Sequence, residues 1–262
     1  SENDAISFDL VTTDSDNDVA RSTHTVSVVD GDGPTPGDSS GEGATLSLTL
    51  TDADTEGTDT DTTSGDLAFT AGSDDLTTFA FGDTDGLTVN GLDGDLTWTT
   101  DTGGNLVGSL NGNDVLRLSL SNTGTINAQT SGSVTVTAEL LSALPHDTSV
   151  DELTINGLNV VASEADGDSA TATVNMTVND AQPENSLSGP AEATEGGDVI
   201  DGTWTQDVGA DGAGSTAVEF GGESYALGEA IDTGSGTLTV NSDGTWTFAG
   251  GTNVSENDAI SF

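Results

Sequence analysis

Short runs in which apolar and polar residues alternate recur along this chain: LSLTL, LTVNGL, LRLSL, VTVTAEL, ATVNMTV and LTVNSDGTWTF. They are rich in Thr and Val and are separated by Gly, Asp, Asn and Ser. A period of two predicts strands with one face buried, and these spacer residues predict turns. No long segment carries a helical period. A disordered chain of similar polarity would lack the alternation, so the fold class read from the pattern is all-β, a tandem of β-sandwiches.

Two internal repeats set the organisation. SENDAISF stands at Ser1–Phe8 and again at Ser255–Phe262, a spacing of 254 residues. This reads as one period of a tandem array. A second self-match, at a shift of 150 residues, lays Leu10–Asp30 over Val160–Asp180 without a gap. Asp14, Asp16 and Asp18 then fall opposite Glu164, Asp166 and Asp168. Both segments read as the closing hairpin of one kind of domain. The expected layout is a complete sandwich over 38–181 and a second one split between the ends, with 1–33 as its C-terminal strands and 185–262 as its N-terminal strands. Strands of the complete domain are predicted at 44–51, 66–70, 79–81, 86–89, 96–99, 115–120, 134–141, 153–161 and 170–178. Pro34, Pro36, Pro183 and Pro190 mark the joints, where a missing N–H costs no ladder bond. Residues 1–33 are expected to complete a neighbouring repeat, head to tail.

Charge changes the picture most. The chain has 46 acidic residues against two arginines, Arg21 and Arg117, and a net charge of −44. Nucleic acid is excluded as a partner, because phosphate contacts need a basic patch. Self-repulsion on this scale opposes a compact state unless salt screens the carboxylates or cations bind them. There is no cysteine for a disulfide and no lysine for an isopeptide bond. No apolar run approaches a membrane span, so no membrane insertion by this segment is expected.

Several calcium ions are the expected cofactors. Asp14, Asp16 and Asp18 alternate within one predicted loop, as do Glu164, Asp166 and Asp168, so a turn can aim several hard oxygens at one point. Calcium takes six to eight oxygen ligands in irregular geometry, whereas magnesium demands a strict octahedron. Asp30, Asp32 and Asp180 end the last strand of a domain just as the next begins; Asp38 and Glu42 could complete the first joint, and Glu184, Glu192 and Glu195 the second. Asp52 and Asp54 read as further loop ligands, with Glu56, Asp59 and Asp61 nearby. The same residues would also serve as solvated turns of a salt-adapted surface or as a flexible acidic linker. Asp74, Asp75, Asp83, Asp85, Asp93, Asp95 and Asp114 are equally readable as turn formers.

Enzymatic readings fail on residue types. His24 and His146 each stand alone in sequence, which is too little for a zinc site. No GxSxG elbow is present, and the 4% aromatic content is low for a sugar cleft, so no small-molecule substrate is expected. Trp98, Trp204, Trp246 and Tyr225 lie in strand-like sequence and read as core anchors.

The stretch AELLSALPHDTSVDELTINGLNVVASEADGDSATATVNMTVNDAQP, with GDLAFTAGSDDLTTFAF before it, resembles the tandem extender repeats of giant type I-secreted RTX adhesins of bacteria. The segments GTLTVNSDGTWTF and DSDNDVARSTHTVSVVDGD are similar to the Ig-like or cadherin-like repeats of the same proteins. The resemblance implies an extracellular, calcium-rigidified sandwich on the bacterial cell surface, spacing distal ligand-binding domains from the cell. The calcium β-roll nonapeptide GGxGxDxUx does not recur here. The alternative is a ligand-binding adhesion module of the same kind of protein. Ice binding would want a regular TxT ladder, and sugar binding an atypical terminal domain.

Overall fold

The computed structural model describes residues 4–55, 60–147, 151–210, 212, 214–252 and 254. The chain divides into two compact units, Ser1–Asp180 and Ala181–Phe262. Apart from one short 3₁₀ turn, Asp52–Thr55, the regular structure of the described residues is all strand, as the period-two pattern requires.

The first unit opens with a hairpin of β1 (Asp4–Thr13) and β2 (Val19–Val28), which among the described residues pair only with each other. There follow β3 (Thr35–Pro36), β4 (Thr45–Thr51), β5 (Asp61–Thr70), β6 (Leu76–Phe81), β7 (Thr88–Asn90), β8 (Leu96–Thr100), β9 (Leu106–Leu110), β10 (Asn113–Ser121), β11 (Ser131–Leu140), β12 (Glu152–Glu164) and β13 (Ser169–Asn179). One sheet runs β3-β5-β11-β10-β9-β8, the other β4-β13-β12-β6 with β7 also on β12. Their inner faces share one core, in which Leu50, Leu67, Phe69, Leu118, Val136, Leu158, Val160 and Met176 are all buried. This is a β-sandwich. Pro36 sits on the edge strand β3, where its missing N–H is harmless. β4 and β13 are parallel neighbours from Thr45 opposite Thr173 to Thr51 opposite Asn179.

Hairpins β1–β2 and β12–β13 share one turn. Asp14 N donates to Asp18 O (3.0 Å) as Glu164 N donates to Asp168 O (2.8 Å), and the residue before the last, Asn17 or Gly167, takes positive φ. Beyond a bulge at Asn156–Gly157, the pair Leu158–Val174 matches Phe8–His24. Ile6, Phe8, Leu10, Val26 and Val28 all lie on one face of the first hairpin. Each is between 47% and 68% exposed, whereas Ile155, Leu158, Val160, Met176 and Val178, at the matching positions, are at most 1% exposed. The opposite face is polar: Ser7 bonds Thr25, Thr23 donates to Asp9, and Arg21 lies 4.0 Å from Asp9.

The second unit contains β14 (Glu184–Ser188), β15 (Ile200–Asp207), β16 (Ala217–Phe220), β17 (Glu223–Ala226), β18 (Ala230–Asp232), β19 (Gly236–Val240) and β20 (Thr245–Gly250). Its sheet order, β14-β15-β20-β19-β18, repeats the winding β3-β5-β11-β10-β9 of the first unit, and β16–β17 form a separate hairpin. The expected hairpin around Asp243-Gly244 is β19–β20. Trp246 and Phe248 are buried with Leu238 and Ile231. Trp204 is only half-buried and Leu187, its cross-strand neighbour, is exposed. Among the described residues, this unit has no counterpart of β12–β13.

Candidate functional site

Three groups of potential metal ligands converge among the described residues: Asp14 with Asp16 and Asp18, Asp30 with Asp166 and Asp168, and Asp52 with His146 and Asp180; in each, the donor atoms lie within 4.8 Å of one another.

The first group is the β1–β2 turn, fully open to solvent. Asp14 Oδ1 accepts from Asp16 N (3.3 Å) and Asp18 N (2.8 Å). Hydrogen bonding with Asp16, then with the Asp18 amide, holds the Asp14 carboxyl below its usual range. A turn that already satisfies its carboxylate internally needs no ion to form.

The second group sits where the chain leaves β2 and meets the sandwich. Gly31–Gly33 pass against Gly72–Ser73 so closely that Ser73 N donates to Asp32 O (2.8 Å), and a Cβ on Gly72 would land on the Asp32 carbonyl and 2.6 Å from Gly33 C. That approach brings Asp30 to Asp166 and Asp168 at the β12–β13 turn. Glu164 sits behind them, 5% exposed, its Oε1 accepting from Gly72 N at 3.0 Å. Burial pushes its carboxyl up, the Gly72 amide partly offsets this, and Asp166, Asp74 and Asp168 push further the same way. Three carboxylates within 4.8 Å of one another, with the Glu164 carboxyl interacting with two of them, make a hard-oxygen set of the kind calcium takes.

Asp32 enters this place through its carbonyl. Asp38 and Glu42, expected as companions of Asp30, are engaged in their own loop: Asp38 Oδ1 accepts from Ser40 N (2.7 Å) and Glu42 N (3.1 Å). The partners of Asp30 come instead from the β12–β13 turn, whose sequence had marked it as a cation loop without showing which acid would meet it.

The third group lies at the other end of β13. Asp52 follows β4 and Asp180 follows β13, and the parallel register Thr51–Asn179 sets them side by side. His146, solitary in sequence, closes the group: its Nδ1 is 3.5 Å from Asp52 Oδ2 and 3.7 Å from Asp180 Oδ1, and the side chain is 3% exposed. Its loop is held by main-chain bonds from Asp93 N to Pro145 O (2.9 Å) and from Asp147 N to Gly91 O (2.8 Å), and by the buried Leu144. Nothing in the local pattern LPHD announces this, because its two partners lie far away in the chain. Asp61, expected near Asp52, has its Oδ2 on Thr51 N (2.7 Å). The side chain of Asp54, and Glu56 and Asp59 altogether, lie outside the described residues.

In the second unit, Glu184 begins β14 and is exposed, as is Glu192, while Glu195 Oε1 accepts from Val254 N (3.1 Å). Among the described residues, none of the three belongs to a metal-ligand group. No helix of the described residues is long and apolar enough to cross a membrane.

No family model and no curated protein matches the chain. Among solved structures it is similar to protocadherin gamma B2 extracellular cadherin domains 1-5, at 11% identity and a TM-score of 0.20, over 97% of this chain and 59% of that one. It is also similar to PcdhgB3 EC1-4 in 50 mM HEPES, at 11% identity and a TM-score of 0.17, over 100% of this chain and 75% of that one. Both TM-scores are too low for topology or function to be carried over. The chain's class is therefore the one its own strands define, all-β, with a β-sandwich in its first unit.

Proposed function

We propose that this chain is a calcium-stabilised spacer repeat of a bacterial surface adhesin, of the type I-secreted RTX kind that its sequence resembles, and that it carries no catalysis. The observation that supports this reading is the meeting of Asp30 with Asp166 and Asp168, in the electrostatic field of the buried Glu164. The acid that ends one hairpin is brought to the cation loop of the sandwich that follows. A calcium ion there would neutralise the clustered carboxylates and fix residues 29–34, which otherwise link hairpin to sandwich through a few main-chain contacts. Extracellular calcium modules bind at roughly 10⁻⁴–10⁻³ M, so the site would fill outside the cell and stay free in the cytosol.

The tandem partner is a further copy of the chain. Hairpin β1–β2 carries the face that β12–β13 buries, and among the described residues the second unit has the winding of the first without that hairpin. The next copy's β1–β2 would supply it, seated over Leu187, Ile200 and Trp204.

Calorimetric titration with calcium and with magnesium at constant ionic strength, paired with small-angle scattering, tests the proposal. The expected result is a saturable calcium-specific heat with a narrower distribution of interatomic distances. Identical heats for the two ions, with scattering unchanged, would overturn it.

A further inference from the structure

The Asp52–His146–Asp180 group differs in kind from the calcium-type cluster at the other end of β13. Its centre is an imidazole. His146 Nε2 lies 3.3 Å from Val178 O, an acceptor, so this nitrogen carries a proton and donates it there. Nδ1 is fully buried, has no hydrogen-bond partner, and points between the two carboxylates.

Two arrangements would account for that geometry. In the first, Nδ1 is protonated as well and bridges the carboxylates as an imidazolium. Charge-assisted N–H···O bonds run at about 2.7–2.9 Å, and the observed 3.5 Å and 3.7 Å are well beyond them. In the second, Nδ1 is an electron-pair donor and the three groups face a cation. Ligands held at about 2.0–2.1 Å around one tetrahedral ion stand roughly 3.3–3.4 Å apart, close to both observed distances. A dication also balances two carboxylates around a neutral imidazole in a place where Asp52 is fully buried.

The donor set then chooses the ion. Calcium and magnesium take oxygen, whereas imidazole with carboxylate suits zinc and its first-row neighbours. A Val178 carbonyl on the remote ring nitrogen is the outer support that fixes the tautomer of a metal-ligating histidine. We propose that Asp52 Oδ2, His146 Nδ1 and Asp180 Oδ1 bind a divalent first-row transition cation, with zinc the physiological candidate and a fourth position open. The site pins the end of β4 to the end of β13 through the loop after β11. It is independent of calcium at the other end of the sandwich.

The full chain, stripped with EDTA, is titrated with Co²⁺ and followed by visible absorption, then competed with Zn²⁺. One equivalent should develop ligand-field bands above the weak background of the acidic surface, and zinc should abolish them. His146→Asn should weaken that equivalent by roughly 100-fold or more while leaving the calcium-dependent melting shift intact. Asp180→Asn, at a partly exposed position, provides a second ligand variant should His146→Asn not fold. Nitrogen NMR of the His146 ring in the unaltered chain gives a direct reading, since Zn²⁺ should move Nδ1 and leave Nε2 protonated. Failure of the Co²⁺ bands to appear, bands unaltered in the folded variants, or an Nδ1 that stays protonated in the presence of zinc would each overturn the site. A chain that binds zinc through His146 and ignores calcium would overturn the calcium reading alone.

Discussion

Exchanging Asp166 and Asp168 together for asparagine removes both carboxylates gathered with Asp30, while keeping side-chain volume and the acceptor that Asp166 offers to the Asp168 amide (3.4 Å). Two opposite effects are expected. Without calcium the variant should be the more stable chain. The donor atoms lie within 4.8 Å of one another, where like charges repel by roughly 1 kcal/mol per pair in a water-like dielectric. Because Asp30 and Asp168 are exposed, screening leaves about 1–2 kcal/mol for the cluster. With calcium at about 10 mM, a site of roughly 10⁻⁴–10⁻³ M affinity adds about 1.4–2.7 kcal/mol to the unaltered chain. At about 2–4 °C per kcal/mol that is a rise of roughly 3–11 °C; the variant gains none of it at this site. The gap between the two melting temperatures should therefore close between EGTA and calcium, and invert at the tighter end of that affinity range. Differential scanning calorimetry at matched ionic strength, with magnesium as control, reads this directly. If the unaltered chain melts higher in both buffers, or both chains rise equally with calcium, the reasoning is refuted.

Three more outcomes are expected. Gly72→Ala places a Cβ against the Asp32 carbonyl and Gly33; it should cost about 1–3 kcal/mol and blunt the calcium response, and hydrogen exchange should show the loss confined to residues near 29–34 and 72–74. Leu158→Ala, at a fully packed position, should cost about 2–5 kcal/mol in chemical denaturation. Leu10→Ala, on the matching but open face of β1 and 68% exposed, should cost well under 1 kcal/mol in a monomer and weaken any association between copies. Asp243 accepts from Thr245 Oγ1 (2.6 Å) and Thr245 N (3.1 Å), which hold its carboxyl below the ordinary aspartate range. A depressed folded value means the stabilisation is present above the unfolded value and is lost as pH falls through the folded one. NMR titration should place the Asp243 midpoint below that of an ordinary aspartate, and Asp243→Ala should flatten the acid limb of stability below about pH 4; a midpoint at the ordinary value would contradict the hydrogen bonds.

Alternation alone located most strands, because a sheet with one dry face writes its period into the chain. β9 was not legible: LVGSL carries no alternation, four of its five residues are buried, and Gly108 is there to receive the Trp98 ring, 3.0 Å from where a Cβ would stand. The polar start of β5, Asp61–Gly65, reads as loop and becomes strand through its pairing with Val136–Leu140 of β11. At the site, the shift of 150 residues marked the acids of both hairpin turns, because local turn chemistry is repeated there. The meeting of Asp30 with Asp166 and Asp168 is a contact between distant stretches, invisible to any local window. His146 reads as solitary for the same reason. Its partners are brought together by the parallel pairing of β4 with β13, which leaves no trace in the spacing of residues.

That parallel pairing has a consequence under load. β4 is the first long strand of the sandwich and β13 its last, and they run side by side in the same direction over seven residue pairs. A pull transmitted along the chain draws the Thr45 end of one strand and the Asn179 end of the other in opposite directions. The strands are then sheared, so their hydrogen bonds share the tension and must fail together; a peeled antiparallel pair would give way one rung at a time. The carboxylates of Asp52 and Asp180 meet just beyond the last rung, so whatever joins them sets how far the two strands slide before the sandwich yields.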